Sequence, residues 1–496
     1  MSSSDTATAS GFETVVGLEV HVQLLTERKL FSPAFVRSGQ DPNVDVDAVD
    51  VGLPGALPAL NPDAVRAAIR LGLALDATID TKSQFARKHY FYPDSPKGYQ
   101  TSQADHPVIV GGAVTFVVDD KAGTEHTVQL VRAHLEEDAG KSIHDDGGTR
   151  VDYNRAGTAL LEVVSTPTMN SGHEAMCFFR GLRQLVMALG ICDGNLQEGS
   201  MRADANVSVR RPGEPLGTRV ELKNINSPRF LADAVEHEAA RQRAMIGRGE
   251  RVVQETRLWD GEKQTSRAMR GKEDSPDYRY LPDPDLPPVH IADDVITAER
   301  LALPELPMAR RRRLVALGLS PAQAGVIVDD TALAEAFDDA AALAVGAERA
   351  VANWLINEVT AIGGPGAIPA AALARVVMLV EGGDVAGKDG KALLRAIVDG
   401  EDGEDGAKRG AQTAADVDAI ADRLGLRLQK GDDAIAAVKA IVADVFAANP
   451  KQVADVRAGK DKVKGFLVGM VLKSAGKGTD PKLAQRLVDE AIATTP

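Results

Sequence analysis

A change of texture near residue 298 constrains this chain more than any other feature of its sequence. Before it, short segments of alternating apolar and polar residues are broken by Gly, Pro and Asp, the pattern of half-buried strands. After it, Ala-, Leu- and Val-rich stretches recur at helical period, and Pro304 and Pro307 mark the connection. Strands followed by helices, rather than strict alternation, predict an α+β fold: a mostly antiparallel-sheet domain, then a helical domain. Within the strand-rich part, Pro62–Leu75 and Gly172–Leu189 carry apolar residues at helical spacing and read as two helical interruptions. A second break falls at Asp399–Ala415, a Gly-rich acidic run that reads as an unpacked linker. The expected order is a disordered start at 1–11, a sheet domain at 12–295 and a helical domain at 296–398. The acidic linker at 399–415 and a small all-α tail at 416–496 complete it. A chain of 496 residues exceeds what one core serves, which agrees with several domains.

Charge narrows the partners. Lys and Arg number 57 against 71 Asp and Glu, a formal charge of −14, so blanket adhesion to nucleic acid or anionic membrane is excluded. RNA contact would need a local basic patch. Residues 451–482 offer one: Lys451, Arg457, Lys460, Lys462, Lys464, Lys473, Lys477 and Lys482 stand against only Asp455, Asp461 and Asp480. A solvated helical surface would read the same way. The two cysteines, Cys177 and Cys192, sit in apolar surroundings and read as buried thiols, neither a zinc site nor a disulfide framework. No leader-like segment opens the chain and no apolar run approaches a membrane span of roughly 20 residues, so the expected compartment is the cytoplasm.

The segment Val16–Leu24 alternates strictly. A period of two puts Glu19, His21 and Gln23 on one face and the aliphatics on the other. A carboxylate and an imidazole two residues apart can converge on one cation, although a solvated strand face gives the same pattern. Glu136, Glu137 and Asp138 follow the strand-like Val128–Leu135, and alternation leaves open which of these acids points inward. Glu162 stands alone in the apolar run Thr158–Ser165; buried there, it must be neutral, metal-bound or paired with a base such as Arg155. Met201–Arg210 places Arg202, Asp204, Asn206, Ser208 and Arg210 on one side, and Arg219, Glu221 and Lys223 alternate likewise. The segment from Arg87 to Gln100 gathers Tyr90, Phe91, Tyr92 and Tyr99 beside Arg87, Lys88 and Lys97, either a stacking and phosphate-binding loop or an aromatic minicore. Walker-like spacing at Gly382…Gly387-Lys388 ends in Asp389 where Ser or Thr should hold the ion, and Gly140-Lys141-Ser142 has Leu135 at the first glycine position. Any ATP must bind without a P-loop.

Read together, several phrases resemble one family over almost the whole chain. They are Val16-Gly17-Leu18-Glu19-Val20-His21-Val22, Tyr90-Phe91-Tyr92-Pro93-Asp94, His134 to Lys141, Asp152 to Thr158, Glu198 to Asn206, Glu221 to Ser227 and Pro276-Asp277-Tyr278-Arg279-Tyr280. This set resembles the GatB family of tRNA-dependent amidotransferase components. The resemblance implies a cradle-shaped GatB/GatE-type catalytic domain, a helical domain and a tail similar to the YqeY family. It implies a Mg²⁺ ion held by Glu19, His21, Glu137 and Glu162, and so favours Glu137 over Glu136. It places Lys88 and Tyr90 near ATP or the aminoacyl end of tRNA, with Lys88, Arg202 and Asn206 as the nucleotide-binding set. The implied reaction is that of a ligase. ATP activates the side-chain carboxylate of Asp-tRNA(Asn) or Glu-tRNA(Gln) as an acyl phosphate, and glutamine-derived ammonia gives the amide. A GatA amidase subunit would supply the ammonia, a GatC subunit would complete a heterotrimer, and Lys460, Lys462 and Lys464 would touch tRNA. One departure is the acidic insert around Glu401–Asp405, longer than the family pattern implies. The competing readings are a tRNA-binding scaffold whose acids are structural, and a metal-dependent phosphotransferase acting on small carboxylates.

Overall fold

The computed structural model describes residues 11–145, 147–269, 278–402, 408–409, 413–428, 431–457, 463–476 and 478–494. Residues 1–10 of the expected disordered start, and Pro276 and Asp277 of the last phrase, lie outside them. The chain divides into two compact units, residues 1–310 and 311–496.

The first unit is built on β1 (Glu13–Gln23), α1 (Pro62–Ala74), β2 (Ala86–His89), β3 (Tyr99–Ser102), β4 (Ala113–Asp119), β5 (Thr124–Glu137) and β6 (Ala159–Ser165). It continues with α2 (Gly172–Ala188), β7 (Met201–Arg210), β8 (Val220–Ile225), α3 (Pro228–Gly247), β9 (Thr256–Asp260), β10 (Thr265–Ala268) and α4 (Asp293–Leu301). Ten strands form one sheet in the order β10-β9-β8-β7-β1-β6-β5, extended by the short pieces Ile109–Val110 and Thr78–Ile79, with β4 also on β5. All pairs are antiparallel except β8 with β9. β1 is central because its one face is wholly aliphatic: Val16, Leu18, Val20 and Val22 are at most 1% exposed.

That face is covered by α1, α2 and α3, which complete the core with Ile69, Phe178, Leu182, Leu231 and Val235. Local signals fix each helix start. Asn61, Ser171 and Ser227 accept from the amides of Asp63, Glu174 and Phe230, and Pro62 and Pro228 occupy first-turn positions where no amide is needed. The helices α1 and α2 match the two expected interruptions. The longer α3 escapes a periodicity reading because its inward stripe includes Glu238 and Gln242, both fully buried. Glu238 is held by Arg241 at 2.8 Å, with Arg257 of β9 at 3.8 Å.

The strand β5 changes phase midway. Val128 and Leu130 point into the core, then Val131 is exposed, and thereafter Ala133 and Leu135 point inward. The register shows why: Val164 faces Arg132 but Ser165 faces Leu130, so Val131 is an extra residue in a β-bulge. Beyond the bulge, Arg132, His134 and Glu136 share the face opposite the helices.

The first compact unit extends to residue 310. The helix α4 packs on α1, and Arg70 Nη2 lies 2.8 Å from Glu299 Oε2. In the second unit, α5 (Pro307–Ala316), α6 (Pro321–Val328), α7 (Thr331–Leu343), α8 (Glu348–Trp354), α9 (Ala370–Glu381), α10 (Gly387–Asp399) and α11 (Ala414–Arg423) share a core running from Leu314 to Leu426. The last four helices, α12 (Asp432–Ala448), α13 (Pro450–Arg457), α14 (Lys464–Ala475) and α15 (Pro481–Thr494), form a separate core around Val442, Leu467, Val471 and Val488. The expected tail boundary is therefore corrected. Val417, Ile420 and Ala421 bury the first helix after the acidic run against the preceding core, so the change of core comes after Leu426. Nor is the acidic stretch a plain linker, since Glu401–Asp402 pairs antiparallel with Lys408–Arg409. Gly387-Lys388 opens α10, a helical setting unlike a strand-to-helix phosphate loop. Among the described residues no helix is long and apolar enough to cross a membrane.

Candidate functional site

The face of the sheet away from the helices is polar, and strand pairing assembles it in rows. His21 of β1 faces Glu162 of β6 on one side and Arg202 of β7 on the other; Glu162 in turn faces His134 of β5. Glu136 stands one step further along β5. These side chains converge. His21 Nε2 lies 3.5 Å from Glu136 Oε1 and 3.6 Å from Glu162 Oε2. His134 Nε2 lies 3.7 Å from Glu136 Oε2 and 3.6 Å from Glu162 Oε2.

One atom each from His21, Glu136 and Glu162 falls within 4.8 Å of the others, close enough to share a cation. Opposite ligands of a Mg²⁺ ion stand roughly 4.2 Å apart, so small side-chain rotations would close the set. Two carboxylates and an imidazole suit a borderline divalent ion at least as well as Mg²⁺. Among the described residues, neither His21 Nδ1 nor His134 Nδ1 has a hydrogen-bond partner, although both atoms are buried.

The cluster differs from the expected set at two positions. Glu137 points to the other side of the strand end, because β5 continues to Glu137 and parity then pairs Glu136, not Glu137, with His134. There it forms an ion pair with Lys97 and accepts from the Thr101 amide at 2.7 Å. Glu19 lies beside the cluster rather than in it, and its Oε1 accepts from Asn206 Nδ2 at 2.9 Å. Its neighbour Glu162 is close enough to matter: burial and that charge push the Glu19 carboxyl above its ordinary range, with Asn206 opposing. His134 is absent from the expected set. Its alternation with Glu136 is visible in the sequence, but only the strand's true end gives that alternation meaning.

A small three-stranded sheet of Leu281–Pro282, β2 and β3 carries Lys88, and Tyr90 directly follows β2. Lys88 of β2 lies over the Tyr278 ring, 4.8 Å from its centre. Burial lowers its ammonium, but Tyr280, Glu136, Tyr278 and Glu162 together outweigh burial and leave the pKa raised, so Lys88 is a cation facing the acid cluster. The reverse holds for Glu136. Burial alone would raise it, yet the His134 hydrogen bond, the His21 imidazole and Lys88 pull it down to about 2. Tyr90 is pushed up by burial and lines a cleft with Asp94, Lys97, Glu137 and Asp138. Phe91 and Tyr92 are 86% and 60% exposed, which removes the minicore reading of this segment.

The other expected contacts are engaged internally. Arg202 Nη2 lies 3.2 Å from Asp138 Oδ1, and Arg155 is 3.3 Å from Asp138 rather than beside Glu162. In the tail, Lys464 is paired with Asp489 at 2.5 Å, while Lys460 and Lys462 lie outside the described residues. Both cysteines are buried, and burial lifts each thiol to about 11, as inert core groups require.

This arrangement defines a catalytic-type cradle: a one-sided sheet whose open face pools acids, imidazoles and a lysine. A family model described as the GatB/GatE catalytic domain matches residues 14–297, and one described as the GatB domain matches residues 335–492. The chain is 47% identical to the GatB-type subunit of the aspartyl/glutamyl-tRNA(Asn/Gln) amidotransferase from Anaeromyxobacter dehalogenans, covering 95% of this chain and 96% of that one. The corresponding amidotransferase subunits from Burkholderia pseudomallei and Burkholderia cenocepacia are each 46% identical, covering 97% and 98% of this chain and 99% and 100% of theirs. The chain belongs to the GatB family.

Proposed function

We propose that this chain is the carboxylate-activating subunit of an aminoacyl-tRNA amidotransferase, working on Asp-tRNA(Asn), Glu-tRNA(Gln) or both. The observation that carries the reading is the convergence of His21, Glu136 and Glu162 beneath Lys88 on the open sheet face, in a chain of this family. The substrate's side-chain carboxylate is a poor electrophile, so amidation needs it first joined to a phosphoryl group from ATP; ammonia then displaces phosphate. His21, Glu136 and Glu162 would hold Mg²⁺, with Asn206 and Glu19 behind them, and the ion would neutralise phosphate charge as the phosphoryl group moves. Lys88 would stabilise the same charge, and Glu136, held low by His134, His21 and Lys88, would stay ionised. Arg202 is pinned by Asp138, which lines the cleft. Phe91 and Tyr92 offer exposed rings on which unpaired bases of tRNA could stack.

Among the described residues, the cysteines are inert, which fits ammonia arriving from a glutamine-hydrolysing partner such as GatA, with GatC completing the assembly. Ammonia must reach the cradle unprotonated, a reason for such coupling. The test is ATP hydrolysis dependent on misacylated tRNA by the reconstituted complex. With Glu162→Ala it should fall to background while the partner's glutaminase remains. A wild-type rate in that variant would leave only the scaffold reading, and activity on free glutamate would point to a small-molecule phosphotransferase.

A further inference from the structure

On the polar face, the buried Nε of the Arg132 guanidinium has no hydrogen-bond partner among the described residues. Lys97, Arg202 and Lys223 are each held by a carboxylate, from Glu137, Asp138 and Asp204 respectively. Lys88 rests over an aromatic ring. Arg132 has no acid within ion-pair distance among the described residues, and its Nε is buried without a partner. An unmatched buried donor of this kind is costly unless a ligand completes it.

The backbone aims it. Without the bulge at Val131, the phase set by Val128 and Leu130 would turn Arg132 into the aliphatic core; the extra residue brings it out beside His134 and Glu136. Arg132 sits two residues before His134, roughly 7 Å along the strand, on the side of the cluster away from Glu136. Its direct cross-strand neighbours, Val164 and Val110, are apolar.

The proposed reaction, on which this inference rests, joins two anions. Each needs its own cation to approach the other, and Lys88, next to Glu136, serves the phosphoryl group. We propose that Arg132 binds the side-chain carboxylate of the aminoacyl substrate and holds it across the acid cluster from Lys88. The planar fork of a guanidinium matches a carboxylate in two parallel hydrogen bonds, which an ammonium does not.

The experiment uses the full heterotrimeric complex with Arg132→Gln and Arg132→Lys. The KM values for misacylated tRNA and for ATP, and the affinity for uncharged tRNA, are measured separately. The expected result for Arg132→Gln is a KM for misacylated tRNA raised roughly 10- to 100-fold, with KM for ATP and uncharged-tRNA affinity unchanged. Arg132→Lys should recover part of the loss. A raised KM for ATP instead, or unchanged constants in both variants, would overturn the assignment. Unfolding of Arg132→Gln at lower temperature together with a wild-type Arg132→Lys would also overturn it, because the role would then be structural. Lack of amidation by the wild-type complex would sink the broader functional reading and is distinguishable from all of these.

Discussion

The two units treat charge in opposite ways. On the open face of the first, charged groups are pooled and under-matched: Glu19, Glu136 and Glu162 crowd together, and His21, His134 and Arg132 each keep a buried nitrogen without a partner. In the second, charges are paired off near the surface. Arg313 meets Asp338 at 2.9 Å, Asp418 is gripped by Arg375 at 2.8 Å and Arg427 at 2.6 Å, and Lys391 meets Glu358 at 2.5 Å. Among the described residues, the buried polar side-chain atoms without partners all belong to the first unit. Matched charges hold a fold; unmatched ones are waiting for something outside it.

The contrast can be broken by exchanging charge for stability on each side. Glu136→Ala should lower amidation more than about 100-fold, while the unfolding temperature falls only modestly as His134, His21 and Lys88 lose their shared carboxylate. A large fall in stability with activity retained would mean the cradle's charges are structural after all. A smaller effect is expected at Asn206→Ala, which leaves Glu19 without its donor. A loss of roughly 10-fold in activity, read as turnover at saturating substrate, would place Glu19 behind the cluster, and none would remove it. Smallest is Asp418→Asn in the second unit, which should cost about 0.5–1 kcal/mol in chemical denaturation and nothing in turnover.

That last variant also carries a pH sign. The Arg375 hydrogen bond, and then Arg427, hold the Asp418 carboxyl below its ordinary value of 3.8. Its contribution is present above the unfolded-state value and is lost as pH falls through the lower folded-state value. Wild type and Asp418→Asn should therefore differ at neutral pH and converge in acid. A gap that widened in acid would reverse the assignment.

Much of this was legible beforehand because it is local. The alternation of Val16–Leu24 fixed both the core face and the site face of β1, and the isolation of Glu162 in an apolar run marked it as a partner seeker. The helical spacing of apolar residues in Pro62–Leu75 and Gly172–Leu189 marked α1 and α2. What could not be read depends on distant pairing. Choosing between Glu136 and Glu137 requires the end of β5, which is set by its contacts with β6 and with Gln100 and Thr101 of β3. The polar stripe of α3 hid a helix because Glu238, though charged, is buried between Arg241 of its own helix and Arg257 of β9. Likewise, acidic composition at 399–415 gave no sign that Ala414–Arg423 would be claimed by an earlier core.

The surplus residue in β5 has a consequence for how this stretch can change over generations. Exchanging Val131 for another side chain alters an exposed position, but deleting it would invert everything downstream to the end of the strand. Ala133 and Leu135 would be delivered to water, and the imidazole and carboxylate to the oil beneath. The segment should accept many spellings and only one length.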